Sequence, residues 1–213
     1  MSAHDLGLHL VTDHRMPFDH VLEVVDAASG SGATIVQFRD KTAGGRELYE
    51  RARALADVVA GRAAFVIDDR VDVALAVRDA GARVDGVHLG QSDLPVAAAR
   101  RLLGPGALVG WTANTTAHLA AAAALPHGTL DYLGVGVIRA TTTKPDHPRP
   151  LGVDGFAELA ASTSLPCVAI GGVGIGDVPA LRAAGAAGIA VVSAIGAADD
   201  PATATRALRE AWA

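Results

Sequence analysis

Eight short runs of β-branched and other apolar residues recur along the chain, and helical patterns fill the intervals. The runs predict strands near Leu8–Thr12, Ile35–Arg39, Ala64–Ile67, Gly86–Leu89, Leu108–Thr112, Tyr132–Val137, Cys167–Gly171 and Gly188–Val192. Most of them end in polar, charged or glycine residues, as in Ile35-Val36-Gln37-Phe38-Arg39-Asp40-Lys41 and Phe65-Val66-Ile67-Asp68-Asp69. Buried strands need the apolar part. The polar ends have no packing role and are costly to bury unpaired. Between the runs, apolar residues recur with helical spacing: Val21, Val24, Val25 and Ala28 form one face, and Leu48, Ala52, Leu55, Ala56 and Val59 another. The helix Val71–Ala80 should stop at Gly81, and the seventh helix, with Leu181 and Ala184 facing inward, at Gly185.

Eight βα units in 213 residues allow about 26 residues each. That spacing predicts an α/β fold, a (β/α)8 TIM barrel, with residues 1–213 forming a single domain. An open, doubly wound sheet is the competing arrangement. It usually has fewer strands and a G-x-G-x-x-G turn after the first, whereas this chain reads Val11-Thr12-Asp13-His14 there. A barrel would gather the polar strand ends at one mouth. The long irregular stretch Arg139–Pro150 carries three prolines, and a loop of that length is usually functional or disordered.

The net charge of −5 gives no global basic field, so nucleic acid is not an expected partner. An anionic substrate would have to be held by local Lys, Arg and backbone N–H groups. The single cysteine, Cys167, excludes an internal disulfide and reads as a small buried core residue, consistent with a reducing compartment. The N-terminus lacks the pattern of a signal peptide, and no apolar stretch reaches the roughly 20 residues that span a bilayer. A cytoplasmic protein without membrane contact is expected, with homo-oligomerisation left open.

Gln37, Arg39 and Lys41 alternate along one strand end and should share a face pointing to the mouth. Arg offers a planar fork and Lys a compact charge, and both suit phosphate oxygens. The competing reading is a surface ion pair with Asp40. Asp68 and Asp69 close the third strand and Asp93 follows the fourth. Converging carboxylates suit Mg²⁺, which commonly bridges one or two of them to substrate phosphates. Equally, Asp69 and Asp93 could cap the helices that follow. Thr141-Thr142-Thr143-Lys144 after the sixth strand suits a phosphate-binding loop. Gly171-Gly172 and Val192-Ser193 end strands seven and eight, where barrels often bind phosphate through backbone N–H groups. His88 reads as structural, Trp111 fits either the outer layer or the mouth, and His14, His118 and His147 show no metal-ligand spacing. No activated Ser–His pair, reactive cysteine or clear Schiff-base lysine stands out. The residues thus describe two phosphate-sized sites, one suited to a Mg-pyrophosphate and one to a monophosphate.

In this order, the residues resemble the thiamine phosphate synthase family from about Leu8 to Ala211. The matching pieces are the Q-x-R-x-K strand, Asp69–Ala74, Gly86–Pro95, the T-x-T-K loop at Thr141–Lys144, Ile170–Val173 and Val191–Ile195. The resemblance implies condensation of a hydroxymethylpyrimidine pyrophosphate with a hydroxyethylthiazole phosphate, with Mg²⁺, by a dissociative route. It implies that Asp69 and Asp93 hold Mg²⁺. Gln37, Arg39, Lys41 and Lys144 would hold the pyrimidine pyrophosphate, beside Asp68 and Thr112. Thr141, Thr143, Gly172, Val192 and Ser193 would hold the thiazole phosphate. Arg39, Lys41, Lys144 and Thr112 would act on the reacting groups.

Four positions depart from the family pattern. Asp68 stands where Asn is usual, adding a negative charge near pyrophosphate. Thr112 replaces a serine, and Phe38 an aliphatic residue, which should face the helices. Gly136-Val137-Ile138-Arg139-Ala140-Thr141 replaces a more proline-rich run, and Arg139 is expected to offset Asp68. Two other functions fit the same barrel: a thiazole tautomerase-like isomerase, which would need no Mg-pyrophosphate site, and a non-catalytic thiazole phosphate-binding regulator.

Overall fold

The computed structural model describes residues 4–141 and 149–213; Thr143 and Lys144 lie outside them. Eight parallel strands follow in sequence order: β1 Leu8–Val11, β2 Ile35–Phe38, β3 Ala64–Asp68, β4 Gly86–Leu89, β5 Leu108–Thr112, β6 Tyr132–Gly136, β7 Cys167–Ile170 and β8 Gly188–Val191. Each pairs with the next, and β8 pairs with β1, so the sheet closes as a (β/α)8 barrel. All eight predicted strands are present. Thr12, Arg39, Val137, Gly171 and Val192 fall just past the strand ends; at Gly171 φ is +93°, which no strand accommodates.

The alternation of side chains across each strand sorts two apolar layers. On β3, Phe65 and Ile67 pack outward against the helices, while Ala64 and Val66 fill the interior with Leu6, Val11, Ile35, Leu108, Tyr132, Val168 and Ala190. On β2, Val36 and Phe38 face the outer layer, which leaves Gln37 on the inward row. Trp111 also packs with the outer layer, its Nε1–H donating to the Gly90 carbonyl at 3.2 Å.

Helices cover the outer layer through the expected faces. α1, Phe18–Gly30, buries Val21, Val24, Val25 and Ala28, and α2, Gly45–Val59, buries Leu48, Ala52, Leu55, Ala56 and Val59. The others are α3 Val71–Asp79, α4 Val96–Leu103, α5 Thr116–Ala123, α6 Gly152–Ala161, α7 Val178–Ala183, a four-residue α8 at Ser193–Gly196 and α9 Pro201–Trp212. The starts of α5 and α9 follow helix chemistry: Thr115 and Asp200 accept from backbone N–H groups three residues on. Glycines at +84° (Gly81) and +87° (Gly185) follow α3 and α7, as expected. No helix among the described residues is long and apolar enough to cross a membrane.

Candidate active site

A cavity of about 420 Å³ opens at the C-terminal ends of the strands. It brings together Gln37, Arg39, Lys41, Asp68, Asp69, Asp93, Thr112, Thr141, Gly172, Val192 and Ser193, which are all the candidate residues that lie among those described.

On the β2 side, the hydroxyl of Thr12 accepts from the Arg39 N–H at 2.9 Å, fixing the backbone just past the strand. The Arg39 side chain is mostly buried. Its Nε lies 3.7 Å from Asp68 Oδ2, and Nη1 has no hydrogen-bond partner among the described residues. A surface pair with Asp40 is ruled out, because Asp40 accepts from the N–H groups of Thr42 and Ala43 and pairs with Arg51 at 2.6 Å. Arg39 therefore keeps a donor for an anion.

Asp68 is held by Gln37 Nε2, which donates to it at 2.7 Å, and by Lys41 Nζ at 3.2 Å. Burial, and then the charge of Asp69, push its carboxyl up to about 6. The expected offset by Arg139 is not what forms. Arg139 pairs with Asp177 instead, through Nε at 2.8 Å and Nη2 at 2.5 Å, tying the segment after β6 to the turn before α7. The neighbours on β2 supply the compensation because they share the inward row with Asp68, whereas Arg139 follows β6.

Asp69 adopts φ +60°, a left-handed conformation that costs a non-glycine residue about 1 kcal/mol and clusters at functional sites. Its N–H donates to the His88 carbonyl at 2.8 Å and its carboxylate pairs with Lys41. Helix capping does not account for either acid. The N-cap of α3 is Arg70 and that of α4 is Pro95, both without a side-chain cap, and Asp93 Oδ2 accepts from the Gly90 N–H at 2.6 Å. Burial, and then the adjacent Asp69 carboxylate, raise the Asp93 carboxyl above the usual range. Two carboxylates facing each other in this way favour a cation between them. Among the described residues no group of three or more His, Cys, Asp or Glu is arranged to hold a metal ion, so further oxygens on such a cation would come from substrate or water.

The opposite side, between β6 and β8, carries no charged side chain among the described lining residues. Gly172 sits at φ +67°, and a Cβ there would fall 2.8 Å from the Arg139 carbonyl oxygen, so only glycine fits. Val192 is the N-cap of α8 and Ser193 its first residue, which places unsatisfied backbone N–H groups at this end.

Between the two sides stand His88 and Tyr132, both buried. His88 Nδ1 lies 3.1 Å from the Tyr132 hydroxyl, and Nε2 lies 3.0 Å from Thr112 Oγ1. Burial lowers the His88 imidazole to about 4. The structural reading of His88 therefore holds, with a hydrogen bond into the site. Cys167 is buried as expected, and its thiol is pushed up to about 11. Sequence reasoning missed Asn114, which lines the cavity and accepts from the Gly136 N–H at 3.2 Å. It lies beyond β5 in an unpatterned loop, where no periodicity signals it. Tyr132 was read only as part of an apolar strand.

The family model described as thiamine monophosphate synthase matches residues 8–195. A thiamine-phosphate synthase of Azorhizobium caulinodans is 47% identical over 207 residues, covering 96% of this chain and 94% of the relative. One of Corynebacterium efficiens is 44% identical, covering 92% and 90%. The solved structure of a thiamine phosphate pyrophosphorylase from Pyrococcus furiosus superposes with a TM-score of 0.83 at 34% identity, covering 98% of this chain and 96% of that one. A 3-hexulose-6-phosphate synthase at 19% identity and TM-score 0.72 shares the barrel fold alone. The chain belongs to the thiamine monophosphate synthase family.

Proposed function

We propose that this chain joins a hydroxymethylpyrimidine pyrophosphate to a hydroxyethylthiazole phosphate, giving thiamine phosphate and pyrophosphate. The observation that carries this reading is the division of one cavity into a charged end and an uncharged end lined by glycine and backbone. Its volume of about 420 Å³ lies in the range of small-molecule sites.

Gln37, Arg39 and Lys41, joined by Lys144, hold the pyrophosphate. Asp69 and Asp93 fit Mg²⁺, since both offer hard oxygen donors and neither is used as a helix cap. When bound, Mg²⁺ supplies positive charge to the departing pyrophosphate. Thr141, Thr143, Gly172, Val192 and Ser193 hold the thiazole phosphate. In the reaction, the bond from the pyrimidine methylene carbon to the pyrophosphate oxygen breaks, and the leaving group keeps the electron pair. The thiazole nitrogen lone pair then forms the new C–N bond. No protein base is required; Arg39 and Lys41 stabilise the leaving charge, and the two subsites align the partners. The lowered basicity of His88 suits this role-free chemistry, because a neutral imidazole adds no charge beside a methylene cation. The free thiol and small-molecule chemistry fit a cytoplasmic enzyme.

The test is turnover. Purified protein with both substrates and Mg²⁺ should release pyrophosphate, and Asp93→Ala and Lys144→Ala should each abolish most of it. Unchanged rates in these variants would remove the assigned roles. Interconversion of thiazole phosphate tautomers without the pyrimidine would favour the isomerase, and tight thiazole phosphate binding without turnover would favour the regulator.

A further inference from the structure

Tyr132 reaches the active-site wall across a strand, and two glycines make the reach possible. In register, Gly110 on β5 stands between His88 on β4 and Tyr132 on β6. A Cβ at Gly110 would run into the Tyr132 ring, so the ring occupies the space a side chain would fill. Gly134 on β6 is opposite Thr112, and a Cβ there would fall 2.9 Å from His88 Cε1. The two missing side chains let a buried phenol, an imidazole and a threonine hydroxyl meet in a line that ends in the cavity.

Counting protons sets the direction of that line. The Tyr132 hydroxyl is buried, and His88 Nδ1 is its only hydrogen-bond partner among the described residues. Were Nδ1 to carry the imidazole proton, the phenol proton would be buried without an acceptor, at the full desolvation cost of an unmet donor. With Tyr132 donating to Nδ1, the proton of the neutral ring sits on Nε2 and is donated to Thr112 Oγ1 at 3.0 Å. The threonine oxygen is then an acceptor toward the interior, and its own O–H meets no acceptor among the described residues. That proton is left for the cavity.

We propose that Tyr132 is a positioning residue: through the His88 tautomer it commits the Thr112 hydroxyl to donate a hydrogen bond to the bound pyrimidine pyrophosphate. The tautomer follows from the fold alone, while the identity of the acceptor rests on the proposed function. Tyr132→Phe keeps the ring over Gly110 and removes only the phenol oxygen.

Two measurements test the chain. Nitrogen-15 NMR of histidine-labelled protein, with His88 assigned by comparison with His88→Asn, should show His88 protonated on Nε2 in the wild type. Tyr132→Phe should populate the Nδ1–H form. A wild-type ring protonated on Nδ1 overturns the proposal. This readout needs no substrate, so it is separate from any failure of the proposed function. In turnover, Tyr132→Phe should lower kcat/KM for the pyrimidine substrate about tenfold, the worth of one hydrogen bond. The same change made in a Thr112→Val background should cost nothing further, because the path it acts through is gone. Additive losses, or an unchanged kcat/KM in Tyr132→Phe, would overturn it.

Discussion

The barrel interior holds two histidines that must stay uncharged, and this makes the fold acid-sensitive in a calculable way. His9, on the inward row of β1, is fully buried; its ring meets Tyr132 edge-on at 5.3 Å, and its Nε2 has no partner among the described residues. Burial, and then the neighbouring His88, lower its imidazole to about 3, while burial lowers His88 to about 4. In the unfolded chain both titrate near 6.5. The unfolded state therefore binds more protons, so stability is complete above pH 6.5 and falls as pH drops from there toward the folded values. Between pH 7.5 and 5.5 each histidine should remove about 1.4 kcal/mol, and together about 3 kcal/mol. The perturbation is His9→Phe, which keeps a flat ring against Tyr132 and removes one titrating group. Loss of the bond to the Leu6 carbonyl and of the orphaned nitrogen act in opposite directions on stability at neutral pH. The pH slope is free of both terms. Urea unfolding at the two pH values should show His9→Phe losing about 1.4 kcal/mol less stability than the wild type, whatever the other groups contribute. Equal losses would refute the claim that His9 is held neutral by burial.

Three further outcomes follow from other parts of the molecule. Gly110→Ala puts a methyl into the Tyr132 ring rather than against a flexible side-chain tip, so it should destabilise by about 3 kcal/mol or more, read from thermal unfolding. Asp68→Asn can keep the bond from Gln37 but removes a charge beside Arg39 and Lys41. The KM for the pyrimidine pyrophosphate should fall a few-fold in steady-state kinetics; a rise would mean that the Asp68 charge orients the cations rather than competing for them. Cys167, buried with its thiol pushed up to about 11, should react with a disulfide reagent at least about a thousandfold more slowly in native than in unfolded protein.

Strand positions were legible because a barrel strand must be apolar on both faces, so its run stands out against the 3.6-residue spacing of the helices. Gln37, Arg39 and Lys41 were legible for a related reason: polar residues on the end of such a run have nowhere to go but the mouth. Contacts that join distant strands were not. The Arg139–Asp177 pair depends on how the segment after β6 meets the turn after β7, which neither local spacing nor composition encodes. The left-handed backbone of Asp69 was not legible either, because an aspartate before a helix reads as readily as a cap as a ligand until its φ is seen. Tyr132 was missed because its reach depends on a glycine in another strand.

On the proposed reading, the charge distribution of the cavity would also sort the two anionic substrates. Among the described lining residues, the β2–β4 end carries Asp68, Asp69 and Asp93 against Arg39 and Lys41, an excess of negative charge in a partly buried place. If Asp69 and Asp93 hold a divalent cation as proposed, pyrophosphate should bind there more tightly with the cation than without it, since the acids then become ligands. Among the described lining residues the β6–β8 end has no acid, so on the proposed reading a metal-free monophosphate would be held there by backbone dipoles. The pyrimidine pyrophosphate placed at the glycine end would lie far from Arg39 and Lys41, the described groups able to take up its leaving charge. In the proposed reaction the electrophilic carbon and the nucleophilic nitrogen would then meet between the two ends, beside the uncharged His88–Thr112 wall.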